Sequence, residues 1–277
     1  MPLKLMYITN VPEVAQIAES AGVDRIFVDM EYIGKDKRQG GMDTVQSHHT
    51  VEDIGKIRDA IEEAELLVRI NPIHNRSDHY VSSKKEIDGA VENGADILML
   101  PFFKTAAEVS TFIRLTGGRV KTMLLLETPE AVECVDEILR IDGIDEIFVG
   151  LNDLSLGYGK KFMFELLTDG TVEELCYKFK KKGLPYGFGG IASLNKGMLP
   201  AEKIIIEHYR LGSTCAILSR SFCDVGRIKH MGMISGTFVD GVRRIRELER
   251  EAAAHRDYFD KNKENIGISV RHIIEKQ

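Results

Sequence analysis

The chain has 277 residues and a formal net charge of −6, with 43% hydrophobic and 29% charged residues, a composition typical of globular proteins. The acidic balance and the lack of a basic stripe argue against nucleic acid as a partner. No apolar run forms a signal peptide or approaches the roughly 20 residues of a membrane span. We therefore expect a cytoplasmic protein with no membrane partner.

Short apolar runs alternate with amphipathic stretches along the whole chain. We interpret the apolar runs as strands; they are residues 3–9, 25–31, 66–70, 96–101, 121–127, 146–150, 185–190 and 214–220. The stretches between them have apolar residues three and four positions apart, a spacing typical of helices, and several end in glycine. They cover residues 11–22, 50–64, 82–95, 105–118, 128–141, 171–183, 200–213 and 237–259.

Eight such strand–helix units in series predict a parallel α/β sheet covered by helices. They favour a closed (β/α)8 TIM barrel, a fold that takes roughly 250 residues in one domain. The alternative is a Rossmann-type sheet, but no G-x-G-x-x-G follows the first strand. We predict a single barrel domain over residues 1–259 and a C-terminal helical extension over residues 260–277. This tail either covers the barrel or packs on a neighbouring subunit.

Polar residues stand where several predicted strands end, and in such barrels the active site lies at the carboxyl ends of the strands. In chain order these residues are Asp29, Glu31, Tyr32, Arg69, Glu127, Asn152 and Asp153. Because all the carboxyl ends meet at one mouth, we expect these side chains to converge there.

Glu127 and Asp153 are the candidate metal ligands of this mouth. Glu127 ends the almost wholly apolar run KTMLLLE, where a carboxylate needs a partner or a metal. It could instead cap the next helix or pair with Arg69, and Asp153 could be a plain helix N-cap. Two carboxylates from separate strand ends suit a hard cation, Mg2+ or Mn2+, with Co2+ as a further candidate.

Five segments of the chain resemble the HpcH/HpaI aldolase/citrate lyase β-subunit family. They are residues 27–32, 66–71, 94–109, 124–132 and 144–159. The resemblance covers roughly residues 10–220, and its most specific part is the fifth-strand glutamate followed by G-x-x-D-L-S. It implies a metal-dependent 2-keto-3-deoxy-acid aldolase on a phosphoenolpyruvate/pyruvate-binding barrel, acting on a 2-oxo acid and an aldehyde. It also implies a homo-oligomer, a trimer or a hexamer.

The resemblance assigns a role to each matching position. Glu127 and Asp153 look like the metal ligands, and Arg69 looks like the arginine that binds the 2-oxo acid and stabilises its enolate oxygen. The backbone N–H groups of Asn152 and Asp153 look like the cradle for the substrate carboxylate. This set predicts retro-aldol cleavage through a pyruvate-like enolate.

Three further acids match family positions. Asp29 and Glu31 correspond to acidic substrate-binding residues of the second strand, and Glu92 falls where the family has an acid that partners the catalytic histidine.

The chain departs from the family at the residue after Glu31, where the family has its catalytic histidine and this sequence has Tyr32. The loop that follows, residues 33–50, is longer and ends in His48-His49. It could fold back over the mouth and deliver one of these histidines as the base, or the pair could be exposed. Tyr32 is a third candidate, although an ordinary tyrosine pKa near ~10 makes it a poor base.

We therefore expect a class II aldolase, a carbon–carbon lyase that acts on a 2-oxo-3-deoxy (sugar) acid. The alternatives are a metal-dependent 2-oxo diacid decarboxylase and a catalytically silent barrel that binds a 2-oxo acid, which the replacement of the histidine by Tyr32 keeps open.

Overall fold

The structure, a computed structural model, describes residues 1–35, 47–194, 197–228 and 230–276. Eight parallel strands close into a barrel in chain order, which confirms the predicted (β/α)8 class. The strands are β1 (Lys4–Ile8), β2 (Arg25–Asp29), β3 (Glu65–Arg69), β4 (Ile97–Leu100), β5 (Lys121–Leu126), β6 (Glu146–Val149), β7 (Tyr186–Ile191) and β8 (Cys215–Leu218).

Helices surround the barrel and connect the strands. They are α1 (Pro12–Ser20), α2 (Val51–Ala60), α3 (Ser83–Glu92), α4 (Ala106–Thr116), α5 (Pro129–Glu133), α6 (Val135–Ile138), α7 (Leu151–Gly157), α8 (Thr171–Lys182), α9 (Ala201–Leu211), α10 (Met231–Ala254) and α11 (Phe259–Glu275), with 3-10 turns at Met163–Leu167 and Arg256–Tyr258.

Alternation along the strands separates two cores. Successive side chains of a strand point to opposite faces. One set fills the barrel interior, and it includes Met6, Phe27, Leu67, Met123 and Phe148. The other set packs between the strands and the helices and forms the larger core. Interior positions at either end of a strand are therefore the ones that can carry polar groups into the two ends of the barrel.

At the amino ends of the strands, five charged residues form what we call the basal ion cluster. Each is the first residue of its strand: Lys4, Arg25, Glu65, Lys121 and Glu146. Arg25 is fully buried, and its guanidinium donates to Glu146 at 2.7 and 2.6 Å and to Glu65 at 2.8 Å. Lys4 and Lys121 also pair with Glu65. This end of the barrel is thus closed by ion pairs.

The C-terminal tail is helical over Phe259–Glu275, which confirms the predicted C-terminal helical extension. Asn262, Ile266 and Val270 of α11 are buried at a four-residue spacing, and Lys203 of α9 donates to Ser269 at 2.7 Å. The tail therefore covers its own barrel with this face, and packing on a neighbouring subunit stays a prediction. Although α10 has 24 residues, none of the helices in the described ranges is long and apolar enough to cross a membrane.

Candidate active site

Glu127 and Asp153 lie together at the mouth, the end of the barrel formed by the carboxyl ends of the strands. Glu127 directly follows β5, and Asp153 lies in the first turn of α7. The two residues are only 5% and 7% exposed. Both line one cavity of about 500 Å³, whose walls include Phe102 and Leu156. Two buried carboxylates thus open onto the same space.

Local backbone geometry fixes the position of Glu127. The backbone N–H of Phe102 donates to Oε1 of Glu127 at 3.0 Å. Phe102 has a φ of +48°, a left-handed conformation that non-glycine residues rarely adopt. On the other side, a Cβ at Gly150 would lie 2.7 Å from Oε2 of Glu127, so only glycine leaves room there. Sequence reasoning missed the role of Phe102, and it included Gly150 only as the glycine of the G-x-x-D-L-S motif.

Asp153 is the third residue of α7, and the N-cap is Gly150. The N-cap alternative for Asp153 therefore does not hold. Asn152 donates from Nδ2 to Oδ1 of Asp153 at 3.2 Å. The backbone N–H groups of both residues belong to the first helical turn, where no intrahelical acceptor exists. This turn can receive an anionic group.

Arg69 and Asp29 form a bidentate ion pair between two neighbouring strand ends at the mouth. They end β3 and β2, and the strand register places them opposite each other. Nε and Nη2 of Arg69 donate to the two carboxylate oxygens of Asp29 at 2.8 and 2.7 Å. Burial of Asp29 favours its neutral form, but Arg69 and Lys35 outweigh this effect and hold its pKa well below the ordinary range. Asp29 is therefore a fixed anion.

Lys35 is a site residue that sequence reasoning missed. It lies in the loop after β2, only 4% exposed, and its Nζ is 2.8 Å from Oδ2 of Asp29 and 3.7 Å from Oε2 of Glu31. Glu31 is 2% exposed and also lies 3.5 Å from Nη1 of Arg69. A lysine in a polar loop shows no sequence pattern that would have identified it.

His49 reaches the mouth through the end of the long loop, of which residues 36–46 lie outside the described residues. Its ring is 7% exposed, and Nδ1 accepts a hydrogen bond from the backbone N–H of Asp29 at 2.9 Å. A neutral imidazole that accepts at Nδ1 carries its proton on Nε2. Burial lowers the pKa of His49. The ring is therefore held as a neutral Nε2–H donor.

Tyr32 and His48 are placed less favourably for proton abstraction. The Tyr32 hydroxyl donates to the carbonyl oxygen of His49, and burial, with further contributions from Asp29 and Asp53, raises its pKa. His48 is exposed and stacks on Tyr32, with ring centroids 5.8 Å apart. The structure brings both near the mouth, and neither is set up as a base.

Glu92 is not brought to this site. It is exposed at the carboxyl end of α3. Helices run antiparallel to the strands of such a barrel, so this end of α3 faces the opposite end from the mouth. Glu86, earlier on α3, is the acid that approaches the loop after β2: it accepts from Asn71 at 2.7 Å, and Oδ1 of Asn71 accepts the backbone N–H of Tyr32 at 2.8 Å. Burial raises the pKa of Glu86.

The donor set at the mouth fits a hard cation. Within the described ranges, no group of three or more His, Cys, Asp and Glu side chains is placed to hold a metal. Glu127 and Asp153 are two carboxylates at one cavity. Mg2+ commonly binds through one or two carboxylates and completes its shell with water and substrate oxygens.

The fold and the two carboxylates at its mouth define a (β/α)8 barrel with a cavity whose donor set suits a divalent cation. A family profile described as HpcH/HpaI aldolase/citrate lyase matches residues 5–163. The chain therefore belongs to the HpcH/HpaI aldolase/citrate lyase family, a family of aldolases and lyases that act on small molecules.

Two relatives are similar to part of this chain at low sequence identity. Both are named hydroxypyruvate/pyruvate aldolase. The protein from Roseovarius nubinhibens is 23% identical over 160 residues, which are 53% of this chain and 61% of that protein. The protein from Rhizorhabdus wittichii is 30% identical over 90 residues, which are 30% of this chain and 36% of that protein. The similarity thus spans less than two thirds of either relative.

Solved structures agree on the fold. An HpcH/HpaI aldolase from Desulfitobacterium hafniense superposes with a TM-score of 0.60 at 17% identity, covering 89% of this chain and 93% of that one. An HpcH/HpaI aldolase/citrate lyase family protein from Burkholderia cenocepacia superposes with a TM-score of 0.62 at 17% identity, covering 88% of this chain and 95% of that one.

Proposed function

We propose that the protein is a metal-dependent class II aldolase, which breaks or forms a carbon–carbon bond through a pyruvate-like enolate. The observation that carries the proposal is the pair of buried carboxylates, Glu127 and Asp153, on one cavity of about 500 Å³. Each carboxylate is held in place by a hydrogen bond, from the N–H of Phe102 to Glu127 and from Nδ2 of Asn152 to Asp153. Two carboxylates at one cavity suit a divalent ion such as Mg2+. Hydroxypyruvate and pyruvate, named for the two relatives, are the 2-oxo acids we expect as donors.

The residues of the mouth would have separate roles in substrate binding. Glu127 and Asp153 would hold a divalent ion, which supplies positive charge to the 2-oxo group when bound. Arg69 adds a fixed cation that stabilises negative charge on the same oxygen. The first turn of α7 would receive the substrate carboxylate through the N–H groups of Asn152 and Asp153.

In the cleavage direction, the C4 hydroxyl gives its proton to solvent water, because Nδ1 of His49 and the hydroxyl of Tyr32 are both engaged within the protein. The bond between C3 and C4 then breaks. The aldehyde leaves, and the bonding electrons move to the oxygen on C2. A proton then adds to C3 and gives pyruvate. His49 supports this chemistry as a neutral donor from Nε2 to a substrate oxygen, because its Nδ1 is engaged with Asp29.

The same observation favours a second candidate, the decarboxylation of a 2-oxo diacid. This reaction needs the enolate site but no base for a hydroxyl proton. Nδ1 of His49 accepts from the backbone N–H of Asp29, and the hydroxyl of Tyr32 donates to the carbonyl oxygen of His49. Both groups are thus engaged within the protein, which suits a reaction without such a base.

The test is exchange of the pyruvate methyl protons for deuterium, followed by NMR with Mn2+ or Mg2+ and after EDTA. Glu127→Gln keeps the shape of the side chain and removes its charge, so we expect exchange to fall to the background rate. Glu130→Gln is the matched control, because Glu130 lines the same cavity but is half-exposed and paired with Lys104. Tyr32→Phe tests the hydroxyl, and we expect it to retain exchange.

Condensation of pyruvate or hydroxypyruvate with short aldehydes, and release of CO2 from oxaloacetate, then separate the two candidates. Aldol product without decarboxylation identifies the aldolase, and the reverse identifies the decarboxylase. Absence of exchange with every metal tried, in a protein that still binds oxalate, would overturn both and indicate a silent binding barrel.

A further inference from the structure

Four charged side chains meet at the carboxyl ends of β2 and β3, and we call them the mouth quartet: Asp29, Glu31, Lys35 and Arg69. Asp29, Glu31 and Lys35 have side chains that are 1%, 2% and 5% exposed, and that of Arg69 is 15% exposed. Two cations face two anions, so the charges of the quartet sum to zero. Removing one partner of such a buried set leaves an uncompensated charge.

Asp29 is fully engaged within the quartet. Its Oδ1 accepts from Nε of Arg69 at 2.8 Å and from the backbone N–H of Glu31 at 3.2 Å. Its Oδ2 accepts from Nη2 of Arg69 at 2.7 Å and from Nζ of Lys35 at 2.8 Å. Four donors on two oxygens make Asp29 an orienting group for the two cations, with no free lone pair for substrate.

Glu31 is the carboxylate for which the two cations compete. Its Oε2 lies 3.7 Å from Nζ of Lys35 and 3.5 Å from Nη1 of Arg69. Nη1 is the arm of Arg69 that does not bind Asp29, so it is the arm that can turn to a substrate oxygen. Without the charge of Lys35, the quartet would hold two anions and one cation, and Glu31 would draw this arm towards itself.

We propose that Lys35 is a positioning residue, which neutralises Glu31 and Asp29 and thereby keeps Nη1 of Arg69 available to the 2-oxo acid. This inference rests on the proposed function. Lys35 acts here through Arg69 and makes no covalent bond. A Schiff base would need an Nζ that is free to attack the substrate, whereas Nζ of Lys35 lies 2.8 Å from Oδ2 of Asp29 and 3.7 Å from Oε2 of Glu31.

The experiment measures binding of oxalate, a stable mimic of the pyruvate enolate, to the Mn2+-loaded protein by calorimetry. We expect Lys35→Met to weaken oxalate binding by about 10- to 100-fold, as the loss of groups that orient a ligand does. Lys35→Arg keeps the charge and should restore most of the affinity. Binding of Mn2+ alone should be unchanged in both, because Glu127 and Asp153 would hold the ion.

A double variant separates positioning from a general loss of structure. Glu31→Gln removes the charge that competes for Arg69, so the double variant Lys35→Met with Glu31→Gln should bind oxalate more tightly than Lys35→Met alone. Oxalate affinity that is unchanged in Lys35→Met, or no recovery in the double variant, would overturn the role of Lys35. If the unaltered protein binds no oxalate in the presence of Mn2+ and shows no methyl exchange, the proposed function itself has failed.

Discussion

Substitution of Gly150 by alanine tests the position of Glu127 most directly. The new Cβ would lie 2.7 Å from Oε2 and 2.8 Å from Cβ of Glu127, whereas ordinary contact begins at 3.4 Å. The carboxylate must therefore move by about 0.7 Å, several times the roughly 0.2 Å that a metal–ligand distance tolerates. Movement also disturbs the hydrogen bond from Phe102. We expect Mn2+ affinity to fall about 10- to 100-fold, and stability to fall by about 1–3 kcal/mol from overpacking.

The assay is titration with Mn2+ followed by electron paramagnetic resonance, which counts free ion, with urea unfolding to confirm that the variant is folded. Gly236→Ala is the matched control, because a Cβ at Gly236 in α10 meets nothing within 4 Å. It should leave Mn2+ binding unchanged. A folded Gly150→Ala protein with unaltered Mn2+ affinity would refute the reasoning, since Glu127 would then not be a ligand at the position described.

Two further predictions concern stability. Arg25→Met leaves the carboxylate of Glu146, 7% exposed, without its bidentate partner, so urea unfolding should show a loss of about 3–5 kcal/mol; a loss below about 1 kcal/mol would contradict a buried pair. The pKa of His49 is lowered in the folded state. As the pH falls below about 6.5, the histidine is therefore protonated in the unfolded chain before it is protonated in the folded protein. The free energy of unfolding then declines towards acid pH. His49→Gln should make the decline between pH 8 and pH 5 shallower, and His48→Gln, at an exposed position, should not.

Much of the mouth could be predicted from the sequence because parallel strands end at one edge. Asp29, Arg69 and Glu127 are polar residues that end apolar runs. Each lies two residues after an interior side chain (Phe27, Leu67 or Leu125), so the period of two along a strand places all three at interior positions. Their convergence needed no knowledge of side-chain contacts. The same reasoning about chain direction accounts for Glu92, which precedes a strand and therefore lies at the other end of the barrel.

Residues in loops could not be predicted in this way. Lys35 and Phe102 follow no periodicity, and their roles depend on contacts made across the chain with Asp29 and Glu127. The hydrogen-bonding state of His49 depends on one backbone N–H of β2. A sequence shows that a histidine is present near a mouth, but only the partner of each ring nitrogen shows which proton it carries.

The basal ion cluster separates the part of the barrel that holds the strands together from the part that binds substrate. Each of its five charges opens a strand, and its members join β1, β2, β3, β5 and β6 at the end away from the cavity. Strand order and register are therefore held together by contacts that share no residue with the substrate site. Changes in the loops at the mouth therefore leave these contacts in place. An engineer who wished to alter specificity would leave those five positions alone and vary only the other end.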